Sequence, residues 1–349
     1  MTKKLLLIAI VFLCFVTRSF QGFGQARPDS LFSSQAPLEI RLNISIRQIK
    51  NSAGDSAWFS DKLYFKDAVG VNDSINVDLK SRGHFRLANC YYPPLWVKID
   101  KKAAKGTEFD GNKKLKLVMP CDNQRRSNAL VVREYLCYKL FELISPYSFS
   151  TRLVNIDLTE LRDKKAKNYK LKGILLEDFD KLAKRLGAKA VKDTSIAPWD
   201  LEDTSAMRLY LFELLIANTD WSTSAQHNAR AIHLRNGNYI PLPYDFDMSG
   251  MVDAPYSFVA NAGDEVLPID NVKQRFYRGH CRPEAVTQFV RKEFLANEKR
   301  LLSVADQLKG ELDDKEIRDI KKFLDEFFDI LRNDFLFRTK VLELCRPMN

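Results

Sequence analysis

Glycine and proline are sparse, at 14 and 13 of 349 residues. That composition leaves no room for long flexible linkers or a collagen-like structure. Past the N-terminus no apolar run reaches the ~18 residues of a membrane-spanning helix. Histidine is rare, with 4 in the chain, and neither a Cys-x-x-Cys nor a paired-histidine spacing occurs, which argues against a structural zinc site. Internal repeats, low-complexity tracts and basic stretches interleaved with aromatics are also missing, so no nucleic-acid partner is expected. What is there is ordinary for a globular protein: 45% hydrophobic and 29% charged residues, enough to build one large or two ordinary domains.

The N-terminus reads as an export signal. Lys3 and Lys4 precede a continuous apolar run, 5–16, and Gly22-Phe23-Gly24 supplies small residues where a signal peptidase reads. The run is too short to span, so residues 1–24 are expected to be cleaved before Gln25, with no stable membrane insertion afterwards and a periplasmic or extracellular location. Cleavage removes Lys3, Lys4 and Arg18 and takes the formal charge from +10 to +7. It also removes Cys14 and leaves Cys90, Cys121, Cys137, Cys281 and Cys345. An exported protein can oxidise its thiols, and an odd number leaves at least one over unless chains pair with one another. Cys137, on an apolar helix stripe, is expected to be the buried free thiol, with Cys90–Cys121 the preferred bridge.

Residues 25–37 read as a flexible lead-in. Strands follow at 38–46, 58–65, 75–79, 95–99 and 115–119, then a helix from Ser127 to Ile144 and two further strands, 151–158 and 171–176. A strongly apolar helix is capped near Asp203, Thr204 or Ser205 and runs to about Asn218. The tail holds two long amphipathic helices, roughly 283–307 and 313–340. The order predicts an α+β protein with a strand-rich part at 38–177 and a mostly helical part at 178–349.

The stretch 216–250 carries most of the chemistry. Asn236-Gly237 is a strong hairpin signal between Ala231–Leu234 and Asn238–Leu242. A two-residue turn there places His233 opposite Ile240 and Asn228 opposite Asp245. Asp247, two residues on, shares the face of Asp245. Asp220 arrives at the same end from the helix that finishes near Asn218. Asp220, Asn228, Asp245 and Asp247 together offer oxygen ligands suited to Mg²⁺ or Mn²⁺ held with a phosphate-bearing substrate.

Two more features point the same way. On the helix from Ser127, Leu130, Glu134, Cys137, Phe141 and Ile144 form one stripe in which Glu134 is the sole charge. A carboxylate facing a core calls for a partner, and Lys116 or Lys98 on neighbouring strands is the candidate. Such a pair can hold a lysine against a phosphate. Arg82-Gly83-His84 after a strand is a tight turn with basic flanks that could cover phosphates or serve as a plain hairpin turn.

These residues, taken in order, resemble a family. Arg82-Gly83, Arg133-Glu134, Gly173–Asp178, Thr219–Trp221, His227-Asn228 and Pro243–Asp247 are similar to the motif set of the spore-coat-protein-H (CotH) kinases, and most of all to an exported branch from Bacteroidota. The resemblance spans about 75–255 and implies a two-lobed protein-kinase-like fold, with a strand-rich N-lobe carrying one helix and a mostly helical C-lobe. It implies that Asp220 orients the acceptor hydroxyl and that Asn228 and Asp245 hold the metal, where Asp247 joins them by its place on the strand. Lys116 or Lys98 would contact phosphates beside Glu134 and Arg82, and Leu176–Asp178, with Glu177 at its centre, would lie beside adenine. The cofactors implied are Mg²⁺ or Mn²⁺ and ATP or another phosphate donor. The partners are a nucleotide and a phospho-acceptor or surface molecule. Two features depart from the pattern: the Asp220–Asn228 spacing is longer than in many kinases, and Pro93-Pro94 is followed by Leu95 rather than a lysine. Two other readings stand beside a kinase: a non-catalytic pseudokinase acting as an interaction protein, and a metal-dependent hydrolase using Asp245 and Asp247, with Trp221 and Tyr244 stacking on a sugar.

Overall fold

The computed structural model describes residues 29–51, 57–67, 70–163, 165–192, 194–260 and 266–348. The expected leader, 1–24, lies outside the described residues. Alternating apolar residues build seven strands in the front half: β1 (Leu38–Ile44), β2 (Phe59–Lys66), β3 (Asn72–Ser81), β4 (Leu95–Ile99), β5 (Lys114–Val118), β6 (Thr151–Leu161) and β7 (Ala166–Leu176). They close into a barrel in the order β1-β2-β3-β4-β5-β7-β6. The pairing of β1 with β6 is parallel, running from Leu38↔Val154 to Ile44↔Glu160, while the other pairings in the barrel are antiparallel. Ile40, Leu42, Leu63, Leu79, Val97, Leu117, Val154 and Leu175 point inward and fill it.

This overturns the expected two-lobed protein-kinase-like fold. β1 bridges β2 and β6, so the strands form a closed mixed barrel instead of a strand-rich lobe opposite a mostly helical one. Nine α-helices accompany it among the described residues: α1 (Ser30–Ser33), α2 (Ile46–Asn51), α3 (Phe85–Asn89), α4 (Arg125–Ile144), α5 (Phe179–Arg185), α6 (Asp203–Leu215), α7 (Glu284–Ser303), α8 (Asp314–Arg332) and α9 (Asp334–Phe337). The back half also contains a three-stranded sheet of β8 (Lys189–Val191), β9 (Ala229–His233) and β10 (Tyr239–Pro243), in the order β10-β9-β8. Part of the stretch read as a flexible lead-in is α1, whose Leu31 and Phe32 are buried in the barrel core.

The helix read as part of the front half packs against β6 and β7 and also faces the helices of the back half. Val131, Leu136, Leu140 and Phe141 of α4 join a second core with α6, α7, α8 and the small sheet. The barrel meets that core through its outward-facing Val118, Leu153, Ile174 and Leu176. Within the barrel, Gly173 of β7 lets its neighbour strands pack close, since a Cβ there would lie 2.9 Å from the Val118 carbonyl oxygen and 2.7 Å from Ile156. Two disulfides, Cys90–Cys121 and Cys281–Cys345, are present, and Cys137 is a buried free thiol.

The hairpin forms, but its register differs from the expected one. Tyr239 pairs with His233 and Pro243 with Ala229. The Leu234 amide bonds the Asn238 carbonyl, so the loop holds three residues, Arg235-Asn236-Gly237, with Gly237 left-handed at φ +93°. One extra loop residue shifts each cross-strand partner by one. Asn228 therefore lies opposite Tyr244, not Asp245, and the Tyr244 amide donates to the Asn228 carbonyl at 3.0 Å.

Candidate functional site

Asp220, Asn228, Asp245 and Asp247 still gather beyond the open end of that hairpin, by a different route. The loop from α6 to β9 folds back on itself. Asn228 Nδ2 donates to the Asp220 carbonyl oxygen at 2.8 Å and to Asp220 Oδ2 at 2.9 Å. His227 Nε2 lies 2.8 Å from Asp220 Oδ1. The contact with Asp220 raises the His227 pKa above its ordinary value, against the opposing effect of burial. Asn228 and Asp245 both have left-handed backbones, at φ +47° and +65°. Asn and Asp are the non-glycine residues that tolerate this conformation best. The left-handed turn takes Asp245 out of the strand line, and its amide donates to the Tyr138 hydroxyl of α4 at 3.0 Å.

Basic residues close in from the barrel side. The guanidinium of Arg82, after β3, is 3.8 Å from Asp245 Oδ2, and Arg86 of α3 is 3.9 Å from Asp247 Oδ2. The buried Arg86 also donates to the Met119 carbonyl, while its Nε, the atom nearest Asp247, makes no hydrogen bond. Asp247 accepts a bond from the Tyr256 hydroxyl at 3.1 Å. Burial, with the charge of Asp245 adding to it, pushes the Asp247 pKa up to about 6.

Glu134 is buried at 2% exposure, and its Oε1 has no hydrogen-bond partner. Burial and then the charge of Asp247 hold its carboxyl well above the usual carboxylate range. The expected Glu134–lysine pair does not form: among the described residues neither Lys116 nor Lys98 makes an ion pair with Glu134. The Lys116 ammonium, on β5, turns instead to the Tyr244 ring at 4.2 Å and the Trp96 ring at 5.6 Å. Burial foremost, then the neighbouring charge of Arg82, pulls its pKa down to about 7. Lys98 is not at the site. It pairs with Asp78 at 3.0 Å on the barrel wall, two residues along β4 from Trp96.

Glu177 is a brace. Arg185 takes both its oxygens, at 3.0 and 2.8 Å, and the Ser150 amide donates to Oε2 at 3.2 Å. Asp178 caps α5 and meets Lys114 at 3.3 Å. Trp221 is buried, stacked on Tyr210, so it offers no open face to a sugar.

Several site residues were not singled out in the sequence: Arg86, Tyr138, Trp96, Arg230 and Tyr256. Arg86 has a readable signal, as the second arginine in Arg82-Gly83-His84-Phe85-Arg86. Tyr256 has none, because it reaches Asp247 by a loop.

The described residues contain no group of three or more His, Cys, Asp or Glu side chains arranged to hold a metal ion. A cation here would take Asp245, Asp247 and the Asn228 carboxamide oxygen, the amide nitrogen being engaged by Asp220. Phosphate oxygens and water would complete its shell, and Mg²⁺ commonly binds through one or two carboxylates plus substrate phosphates. No known family model and no curated protein matches the chain.

Proposed function

We propose that the protein binds a divalent cation together with a nucleotide at this site and transfers a phosphoryl group to a hydroxyl acceptor. The observation that carries the reading is Lys116, a buried ammonium with aromatic neighbours and no carboxylate partner among the described residues. A buried charge left in that state is costly, and an anionic ligand would relieve it. Arg82 and Arg230 stand near the same place, Arg230 with its guanidinium 5.8 Å from the Tyr244 ring. Asp245 and Asp247 would hold the cation with Asn228, and Asp220 would orient the acceptor. This keeps the site chemistry implied by the CotH-like motifs and none of the two-lobed architecture. The two disulfides support action in an oxidising compartment outside the cytoplasm.

A binding role without transfer is the second reading. It is favoured by Asp220, both of whose carboxylate oxygens are engaged, one by His227 and one by Asn228.

Thermal unfolding with Mn²⁺, ATP and both together tests the proposal. Saturation at a hundredfold excess over Kd adds ~2.7 kcal/mol, a readable shift in Tm. A wild-type protein whose Tm ignores all three additions has no such site. A shift that survives in Asp245→Asn places the site elsewhere. Incorporation of labelled phosphate that is lost in Asp220→Ala separates transfer from binding.

A further inference from the structure

We propose that Trp96 is the surface on which the base of the nucleotide stacks, which makes it the residue that separates a nucleoside triphosphate from a bare polyphosphate donor. The inference rests on the reading of the site just given and adds the chemical class of the donor.

The β4–β5 register sets Trp96 directly opposite Lys116, so the two side chains leave the barrel wall on the same face. Its strand neighbours Leu95 and Val97 are fully buried in the barrel core. Trp96 is half-buried and faces out, and among the described residues no other aromatic ring packs on it. Cations surround it instead: Lys114 Nζ at 4.6 Å, the Arg82 guanidinium at 5.4 Å and Lys116 Nζ at 5.6 Å from its centroid. Arg82 and Lys114 have acidic partners in Asp245 and Asp178. Lys116 has none.

The local chemistry therefore asks for a ligand with two ends. An anionic end would meet Lys116 beside Asp245 and its cation. A flat π-system attached to that end would reach the indole next door. Tryptophan binds nucleobases by stacking, and the contact is tolerant of base identity. A bare polyphosphate satisfies the cations and leaves the indole wet. Lys114, whose side chain is 41% exposed and held by its pair with Asp178, would have to leave the ring as a base arrives, at the modest cost of a solvent-exposed ion pair.

The experiment uses the full chain and two probes, Mn²⁺ with ATP and Mn²⁺ with tripolyphosphate, read by thermal shift and by tryptophan emission. Wild type should bind ATP more tightly than tripolyphosphate, and ATP should quench emission. Trp96→Ala should weaken ATP about tenfold or more, the loss expected for one stacked base, and leave tripolyphosphate within about threefold. Trp96→Phe keeps a ring for stacking, so ATP binding should persist while the quenching disappears; this variant also serves if the alanine protein fails to fold. Trp96→Ala binding ATP as wild type does would overturn the inference. So would an equal loss for both probes, which would make Trp96 a mere support for Lys116. Wild type that binds neither probe defeats the underlying reading of the site, a result distinct from either of these.

Discussion

Asn228 spends its carboxamide nitrogen on a single residue, bonding both the backbone carbonyl and the Oδ2 of Asp220, eight positions earlier. The pair clamps a loop whose residues 226 and 228 both have positive φ. Removing the amide leaves partly buried acceptors unmet and puts a side chain with little taste for the left-handed region at φ +47°. Asn228→Ala should lose roughly 1–3 kcal/mol in urea unfolding. It should also sharply reduce labelled-phosphate incorporation, because Asp220 would keep only its contact with His227 and the cation would lose a ligand.

Lys116 should behave as a destabilising group held for function. Its folded pKa is near 7 and its unfolded value is the ordinary 10.5. Between those values the unfolded chain binds more protons, so this residue makes stability rise with pH across that window, and its penalty is full below it. Lys116→Met should remove that rise and stabilise the ligand-free protein at pH 7 by on the order of a few kcal/mol. The same variant should lose the Tm shift with Mn²⁺ and ATP. Unfolding curves of both proteins from pH 6 to 10 check the first expectation, and a single titration checks the second.

Asp247 follows the opposite sense. Its carboxyl pKa is 3.8 unfolded and about 6 folded, so the native state holds the proton more tightly and stability falls as pH rises from 3.8 to 6. Asp247→Asn should raise the metal-free Tm above pH 6 and keep a polar partner for Tyr256. Mn²⁺ binding should weaken in wild type below pH 6, where protons compete for the carboxylate, and should be lost in the asparagine variant. Calorimetric titration with Mn²⁺ at pH 5 and pH 7.5 reads both.

The Cys90–Cys121 bridge anchors the segment that carries Arg82 and Arg86. Cys121 closes a separation of 31 residues, and its carbonyl receives the amides of Tyr91 and Tyr92. Replacing both cysteines by serine should cost ~3–4 kcal/mol on the chain-entropy account. The loss beyond stability should be specific: Arg86 would be freed from the Met119 carbonyl, and Mn²⁺–ATP binding should weaken in the folded variant.

Local features were readable from the sequence, and long-range closure was not. Alternation gave the positions of most strands, and Asn236-Gly237 gave the hairpin. That dipeptide fits either a two-residue turn or the end of a three-residue loop, so it could not set the register. The outcome, Asn228 against Tyr244, depends on that one residue. The barrel was hidden because β1 and β6 lie more than a hundred residues apart and pair in parallel. No local pattern marks such a partner. Glu134 was read as facing a core, and it does, but Lys116 had closer aromatic company. The sole-charge argument could find the buried carboxylate and could not choose its neighbours.

The molecule has two separate apolar interiors, one inside the barrel and one among the helices. Lys116, Trp96 and Arg82 belong to the barrel wall, whereas Asp220, Asn228 and Asp245 hang from the other body. A molecule seated between them would act as a rivet. Heating the bare protein should let the two interiors melt apart in calorimetry. Filling the seam should merge them into one sharper event, so cooperativity itself would report occupancy.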